Sequence, residues 1–414
     1  MKLDEGKIRK VLPKITIIVL ILWLIAQIAC FFLYKNMPQF SDAQIYCDLA
    51  LQCFNNQTWY PDSTQIFSDY IFNPGYVNYL ILHLRIFGSF AFVPIFNILF
   101  NFLIVLEIFV LTKHFFNKKS AFIAVILFCI LPTNALLPQV TLTEIPFLAV
   151  VLGAVCLVRK EHYLFLILSG TLFFIANWIR PIAFVFLLPV LLYMISYKFN
   201  IKSYIFLLLP FIIFIFIVGE YTKMNTGHFN WQATSGGFNL LIGANDDRSG
   251  RYSGTVFKKG NIGYIEDKEK LTYAERDLIW KARSINWIRD NPVKYAKYIP
   301  VKIFWMWRGD NFLHGNFMQK DGKIIPKKQR IFSDVLFGLP YYLIMICFFL
   351  SIASFCRRRH KALFILLLPL LLGTLMQSLF YGSPRYHYPY IPVMLMFAAW
   401  EIEMMMEKGK VELV

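Results

Sequence analysis

Residues 15–34 read ITIIVLILWLIAQIACFFLY, an apolar run interrupted by little more than Thr16 and Gln27. A helix rises about 1.5 Å per residue and the hydrocarbon core of a bilayer is about 30 Å thick, so this run is long enough to cross it. It is too long for the apolar part of a cleaved leader, and no small-residue cleavage site follows it. It predicts a transmembrane helix. Similar runs follow at 91–112, 120–138, 143–158, 162–179, 181–197, 202–219, 334–355, 362–381 and 387–405. The chain is therefore predicted to be an all-α polytopic membrane protein of about ten spans, within a range of nine to twelve.

Composition points the same way. Of 414 residues, 57% are hydrophobic and 16% charged, and mean hydropathy is +0.53. A soluble domain carries about 25% charged residues. A compact soluble enzyme, a nucleic-acid module and a disordered scaffold are all excluded as the main reading. The net charge of +17 belongs first to membrane orientation and anionic headgroups. Seven cysteines in this length form no disulfide framework.

With Met1 in the cytoplasm, segments 1–14, 113–119, 159–161, 198–201, 356–361 and the C-terminal tail lie inside. The densest basic run is Arg357, Arg358, Arg359 and Lys361. The short outer connections near 138–142, 180 and 383–385 hold almost no bases, which is the positive-inside pattern. Two long segments, 35–90 and 220–333, then lie outside. The chain divides into an N-terminal transmembrane module (1–219), an outer loop region (220–333) and C-terminal helices (334–414). Within the outer segments, residues 75–88 (GYVNYLILHLRIFG) are apolar but too short to span and predict an interfacial helix. Residues 274–290 show a helical period with Leu278, Ala282, Ile285 and Ile288 on one side, stopped by Asn291-Pro292. After them Tyr295, Tyr298, Trp305 and Trp307 alternate with Lys294, Lys297, Lys302 and Arg308, a mixture suited to the headgroup layer.

The chain has neither a phosphate-binding G-x-x-x-x-G-K-[ST] loop nor an H-E-x-x-H zinc pair. Asn245-Asp246-Asp247 lacks the spaced carboxylates of a nucleotide-sugar site. The large surface faces away from the nucleotide pool, so an enzyme there must use a group already activated and carried across, such as a lipid phosphate sugar. Acidic residues are few. Asp42, in Gln39-Phe-Ser-Asp-Ala-Gln-Ile-Tyr46, is either a helix start signal or a functional carboxylate; Asp48 is its neighbour on another helix face. Glu144, at the start of the fourth span, is favoured by a helix N-terminus, yet ionisable groups at a membrane edge are costly enough to be functional candidates. Glu107, deep in the second span, reads as structural. Arg180 and Arg385 sit in outer turns, and arginine offers a fork matched to phosphate oxygens; contact with lipid headgroups is the plainer reading. His83 and Arg85 are weaker candidates. Gly236–Gly243 (GGFNLLIG) predicts a turn at the start of the large loop.

In order along the chain, these segments resemble the GT-C-type membrane glycosyltransferases, in the branch of bacterial relatives of protein O-mannosyltransferases and of aminoarabinose lipid A transferase. The resemblance rests on Ser41-Asp-Ala-Gln-Ile-Tyr46, Asn73-Pro-Gly-Tyr76 through Phe87-Gly88, Leu142-Thr-Glu-Ile-Pro146, Trp178-Ile-Arg-Pro181, Thr234 to Asn245, and Pro384-Arg-Tyr386 with Pro389 and Pro392. Ala43 and Ile45 depart from the family, which often has Glu after the Asp and sometimes a base nearby. The resemblance implies a sugar donor linked to polyprenyl phosphate, a glycan, lipid or protein acceptor, and inversion at the anomeric carbon. It makes Asp42 the general base and Glu144 the group that orients the acceptor or a divalent ion. Arg180 and Arg385 would offset the leaving phosphate, with Tyr46, Asp48, Asn73, Gly237, Asn239 and Tyr386 also around the substrates. No cofactor is certain; a divalent metal on Asp42 and Glu144 is left open. The implied setting is the bacterial inner membrane, with both termini cytoplasmic and the site outside. Two other readings stay open: an O-antigen polymerase or ligase, and a lipid-linked sugar transporter or flippase.

Overall fold

A backbone surrounded by lipid satisfies its own hydrogen bonds only as a helix or a closed barrel, and the apolar runs are mostly helical. The structure is a computed structural model and describes residues 5–35, 37–62, 71–246, 250–313, 317, 319–320, 323–324, 327–358 and 361–408. The chain begins with α1 (Glu5–Tyr34), then α2 (Asp42–Asn55), α3 (Pro74–Phe87), α4 (Val93–Phe115), α5 (Lys118–Cys129), α6 (Pro132–Leu136), α7 (Glu144–Val158), α8 (Tyr163–Ile179), α9 (Phe184–Ser196) and α10 (Ile201–Thr226). The loop region holds α11 (Gly236–Gly243), α12 (Tyr273–Asp290), α13 (Pro292–Trp307) and a small hairpin of β1 (Gln319–Lys320) with β2 (Lys323–Ile324). It is followed by α14 (Lys327–Arg358), α15 (Lys361–Leu379), a 3₁₀ helix (Pro384–Tyr390) and α16 (Ile391–Lys408). Arg359 of the basic run and Asp247 of the Asn-Asp-Asp segment lie outside the described residues.

This is a multi-pass membrane protein, with differences from the expected spans. Val11–Tyr34, Phe90–Phe115, Ile201–Thr226 and Ile331–Ser354 are long and apolar enough to cross a membrane. The predicted span 120–138 is broken: α5 and the segment Pro132–Gln139 meet at 68°. Leu131 is extended there, as expected of a residue before proline. The fourth span, α7, has 15 residues, about 22 Å of helix and less than a bilayer core. Most of α7 is buried among other helices, so its polar N-terminal end meets protein rather than lipid. The predicted span 181–197 begins as helix only at Phe184, and 202–219 runs on to Thr226.

Helix α8 packs against α7 and α10, α4 against α5 and α7, and α16 against α14 and α5. Large apolar side chains of α1, α10 and α14 (Ile18, Leu22, Phe216, Ile217, Phe349) point out of the bundle as a surface for lipid. Gln27, the polar interruption in the opening span, faces inward and accepts a 2.9 Å bond from Asn101, which also donates to the Asn134 carbonyl at 2.6 Å.

One expectation in the loop region is corrected. Gly236–Gly243 is a helix, because Asp277 of α12 accepts the Gly237 and Phe238 amides at 3.0 and 2.9 Å and satisfies the α11 N-terminus from outside. The inward face of α12 is Trp280, Ser284 and Trp287, whereas Leu278 and Ile285 are 63% and 50% exposed. The Trp280 indole closes a second small core with Leu241, Ile242, Val256 and Ile265.

Helix α3 carries the glycine that matters most for the site. A Cβ on Gly75 would lie 2.7 Å from both Trp178 C and Ile179 N, at the end of α8. Gly75→Ala is expected to separate α3 from α8 and cost about 1–3 kcal/mol. Thermal unfolding of the purified protein reads this as a lowered Tm; an unchanged Tm would contradict the close packing.

Candidate active site

Helix start and stop signals place four ionisable groups together. Pro181 keeps Arg180 out of the helical region (φ −152°, ψ 122°), so α8 ends at Ile179 and the arginine turns off its axis. Glu144 is the first residue of α7, at an end where partial positive charge favours a carboxylate. Asp42 is the first residue of α2, after Ser41 at φ 54°. Arg385 follows Pro384 in the 3₁₀ helix between α15 and α16.

The Arg180 guanidinium donates to Glu144 Oε1 at 2.9 Å. Arg385 donates through Nε to Glu144 Oε1 and through Nη2 to Oε2 at 3.2 Å. Its Nη1 donates to Asp42 Oδ2 at 2.5 Å. One connected network thus joins α2, α7, the end of α8 and the last interhelical turn. Burial works against the Arg385 charge, but Glu144 and Asp42 more than offset it and hold its proton. The carboxylates differ in access: side-chain exposure is 0% for Glu144 and 42% for Asp42.

Tyr46 lies one turn after Asp42, buried, and its hydroxyl accepts a 2.7 Å bond from Asn73. Burial and the Asp42 charge keep the Tyr46 hydroxyl protonated. The Tyr386 ring lies 5.7 Å from the Arg180 guanidinium, and its hydroxyl bonds that of Tyr381. Asp42, Glu144, Arg180, Arg385, Tyr46, Asn73 and Tyr386 therefore form one neighbourhood. Asp48 stands apart, exposed and accepting from Gln44 at 2.6 Å. Gly237 packs on α12, where a Cβ would meet the Asp277 carbonyl oxygen at 2.0 Å, and Asn239 donates to Ser235 at 3.1 Å; neither joins the network. His83 bonds the Tyr79 carbonyl, and Arg85 lies over Trp59. Glu107 is enclosed in the bundle against Gly153. Asp246 pairs with the Lys294 ammonium and takes no part in the network.

The large loop also approaches the Arg385 turn, and one of its bases, Lys302, expected in the headgroup layer, is buried instead. Gly382 donates to the Gly250 carbonyl at 2.8 Å, which brings the large loop onto the Arg385 turn. Tyr252 then lies 5.9 Å from Tyr381 and close enough to Asp42 for that charge, after burial, to raise its hydroxyl pKa. Lys302 is 1% exposed and has no carboxylate partner among the described residues; its ammonium lies 3.4 Å from the Leu379 carbonyl at the end of α15 and over the Tyr295 ring. Burial lowers it from 10.5 to about 8.

A divalent ion does not fit the carboxylates in this arrangement. Asp42 Oδ2 and both Glu144 oxygens are occupied by guanidinium donors, whose charge repels a cation. Among the described residues no group of three His, Cys, Asp or Glu comes together for a metal.

No protein-family model matches the chain, and no curated sequence does. Solved structures do. The oligosaccharyltransferase of Archaeoglobus fulgidus in its apo form superposes at a TM-score of 0.54 with 13% identity, over 95% of this chain and 51% of its own. The chain has a GT-C fold. It spans about half the length of the archaeal enzyme. The same archaeal protein with an inhibitory peptide and a dolichol-phosphate gives 0.49 at 13% identity, over 95% and 50%. ArnT from Cupriavidus metallidurans bound to undecaprenyl phosphate gives 0.41 at 10%, over 96% and 78%.

Two stability predictions follow from burial. Glu144→Gln leaves two guanidiniums without their shared counter-charge and is expected to cost about 3–5 kcal/mol, whereas Asp42→Asn, at a half-open pair, is expected to cost under about 1 kcal/mol. Denaturation of both variants checks the contrast; equal losses would contradict it. For Lys302, the unfolded chain holds a proton that the folded chain has released between pH 8 and 10.5, so its contribution makes stability rise with pH across that window. Wild type is expected to gain Tm there relative to Lys302→Met; parallel curves would contradict the lowered amine.

Proposed function

We propose that this protein is a glycosyltransferase that moves a sugar from a polyprenyl-phosphate-linked donor to a hydroxyl or amine of a glycan, lipid or protein acceptor. The site lies at the extracytoplasmic end of a bacterial inner-membrane bundle with both termini in the cytoplasm. The observation that carries the reading is the network Asp42–Arg385–Glu144–Arg180, drawn from four distant parts of the chain.

The two carboxylates take different work. Asp42 is open to a substrate and is the general base. Glu144 is closed off and acts through the arginines, holding both guanidiniums at one place. Arriving donor phosphate competes with Asp42 for Arg385. As the guanidinium turns to the phosphate, Asp42 Oδ2 is released to accept the proton of the acceptor, which must come within about 3 Å. The acceptor oxygen or nitrogen then bonds to the anomeric carbon as the bond from that carbon to the phosphate oxygen breaks. Its proton passes to Asp42. The electron pair leaves with the lipid phosphate, whose growing charge Arg385 and Arg180 stabilise. The phosphate needs no proton to depart. Attack opposite the leaving group inverts the anomeric centre. Donor binding precedes acceptor activation, because the base is covered until the phosphate takes Arg385.

Incubation with labelled polyprenyl phosphate sugars and candidate acceptors tests the reading. Asp42→Asn is expected to lower turnover by about 10²–10⁴-fold in a folded, inserted protein. Near-normal turnover would remove Asp42 from this role; if Arg180 and Arg385 variants then lose activity, a lipid-linked polymerase or ligase is favoured.

A further inference from the structure

Two residues after Arg385 on the same 3₁₀ helix, His387 is wholly buried. Its Nδ1 lies 2.9 Å from the Met306 carbonyl oxygen. A carbonyl only accepts, so Nδ1 carries a proton. Its Nε2 faces Asp310 Oδ1 at 3.6 Å, and both side chains have 0% exposure. Among the described residues, neither carboxylate oxygen of Asp310 nor His387 Nε2 has a hydrogen-bond partner. A neutral imidazole protonated on Nδ1 would aim a bare nitrogen lone pair at a buried carboxylate, which is repulsive and leaves both groups desolvated. One more proton on the pair removes the conflict.

Among the described residues, the aromatic surroundings offer no other source of compensation. The Trp307 ring stacks on His387 at 5.6 Å, and the Tyr341 ring lies 5.0 Å away. The Tyr341 hydroxyl donates to the Trp307 carbonyl at 3.0 Å and that of Tyr388 to Asn134 at 2.9 Å, so both protons are committed elsewhere. Asp310 is in turn fixed through its carbonyl, which accepts from Thr133 at 2.9 Å. The α13 end, the α6 segment and the Arg385 turn therefore meet at this pair.

We propose that His387 and Asp310 share one proton as a buried ion pair, imidazolium against carboxylate, and that this pair is a positioning device for Arg385. Its catalytic consequence rests on the role given above to Arg385; its protonation state does not.

The test therefore has two arms. In the full chain in lipid nanodiscs at neutral pH, ¹⁵N-histidine NMR is expected to show both ring nitrogens of His387 protonated, and the signal should become that of a neutral Nδ1–H ring in Asp310→Asn. His387→Gln assigns the signal; if that variant does not fold, the one signal moved by Asp310→Asn assigns it. A neutral ring in the wild type overturns the ion pair, whatever Asp42 does. In the second arm, Asp310→Asn is expected to lower turnover about tenfold in the wild type but to add little in an Arg385→Lys background, as coupled residues do. Independent, multiplying losses overturn the positioning role. An active Asp42→Asn enzyme alongside the imidazolium signal would sink the general-base reading and leave the pair standing.

Discussion

The carboxylate of Glu144 shared between two guanidiniums is the contact on which the rest depends. Bringing one buried anion and two arginines out of water is expensive, and hydrogen bonds in good geometry are needed to offset it. Here three donors from Arg180 and Arg385 reach two oxygens. That places a strong constraint on the fold, since α7, the end of α8 and the last turn must arrive at one point. Asp42 meets the same cluster from its open side, and this difference in access turns a structural knot into a site with one reachable carboxylate.

Several packing features make sense as supports for that knot. Gly75 lets α3 press on the backbone just before Arg180. Tyr295 and Lys302 reach the last carbonyl of α15, and Gly250 accepts from Gly382, so the large loop grips the segment that carries Arg385. The loop region thus does more than cover the bundle. The archaeal oligosaccharyltransferase shares the fold over most of this chain at low identity, and its likeness speaks to the arrangement of helices alone.

Much of this was legible in the residues because lipid leaves few choices. Apolar runs must become helices, and the rare ionisable groups at their ends stand out; Asp42, Glu144, Arg180 and Arg385 could be singled out on that ground. Proline marked the ends, although Pro132 bent a span that hydropathy drew as straight. What escaped depends on contacts between distant segments. Gly236–Gly243 looked like a turn because glycine is a poor helix former, and the Asp277 carboxylate that completes the helix comes from α12. On α12 the regular stripe of Leu278 and Ile285 stays exposed, and the choice of Trp280 and Trp287 as the buried side is made by the loop packed against them. The burial of Lys302 and the meeting of Asp310 with His387 have no periodicity to betray them.

In the proposed mechanism Arg385 exchanges Asp42 for the donor phosphate. A structure of the protein in nanodiscs with undecaprenyl phosphate bound tests it most directly. The expected result is phosphate oxygens within hydrogen-bond distance of Arg385, with the 2.5 Å contact from Arg385 to Asp42 opened. A phosphate held elsewhere, with Asp42 still closed on Arg385, would contradict it.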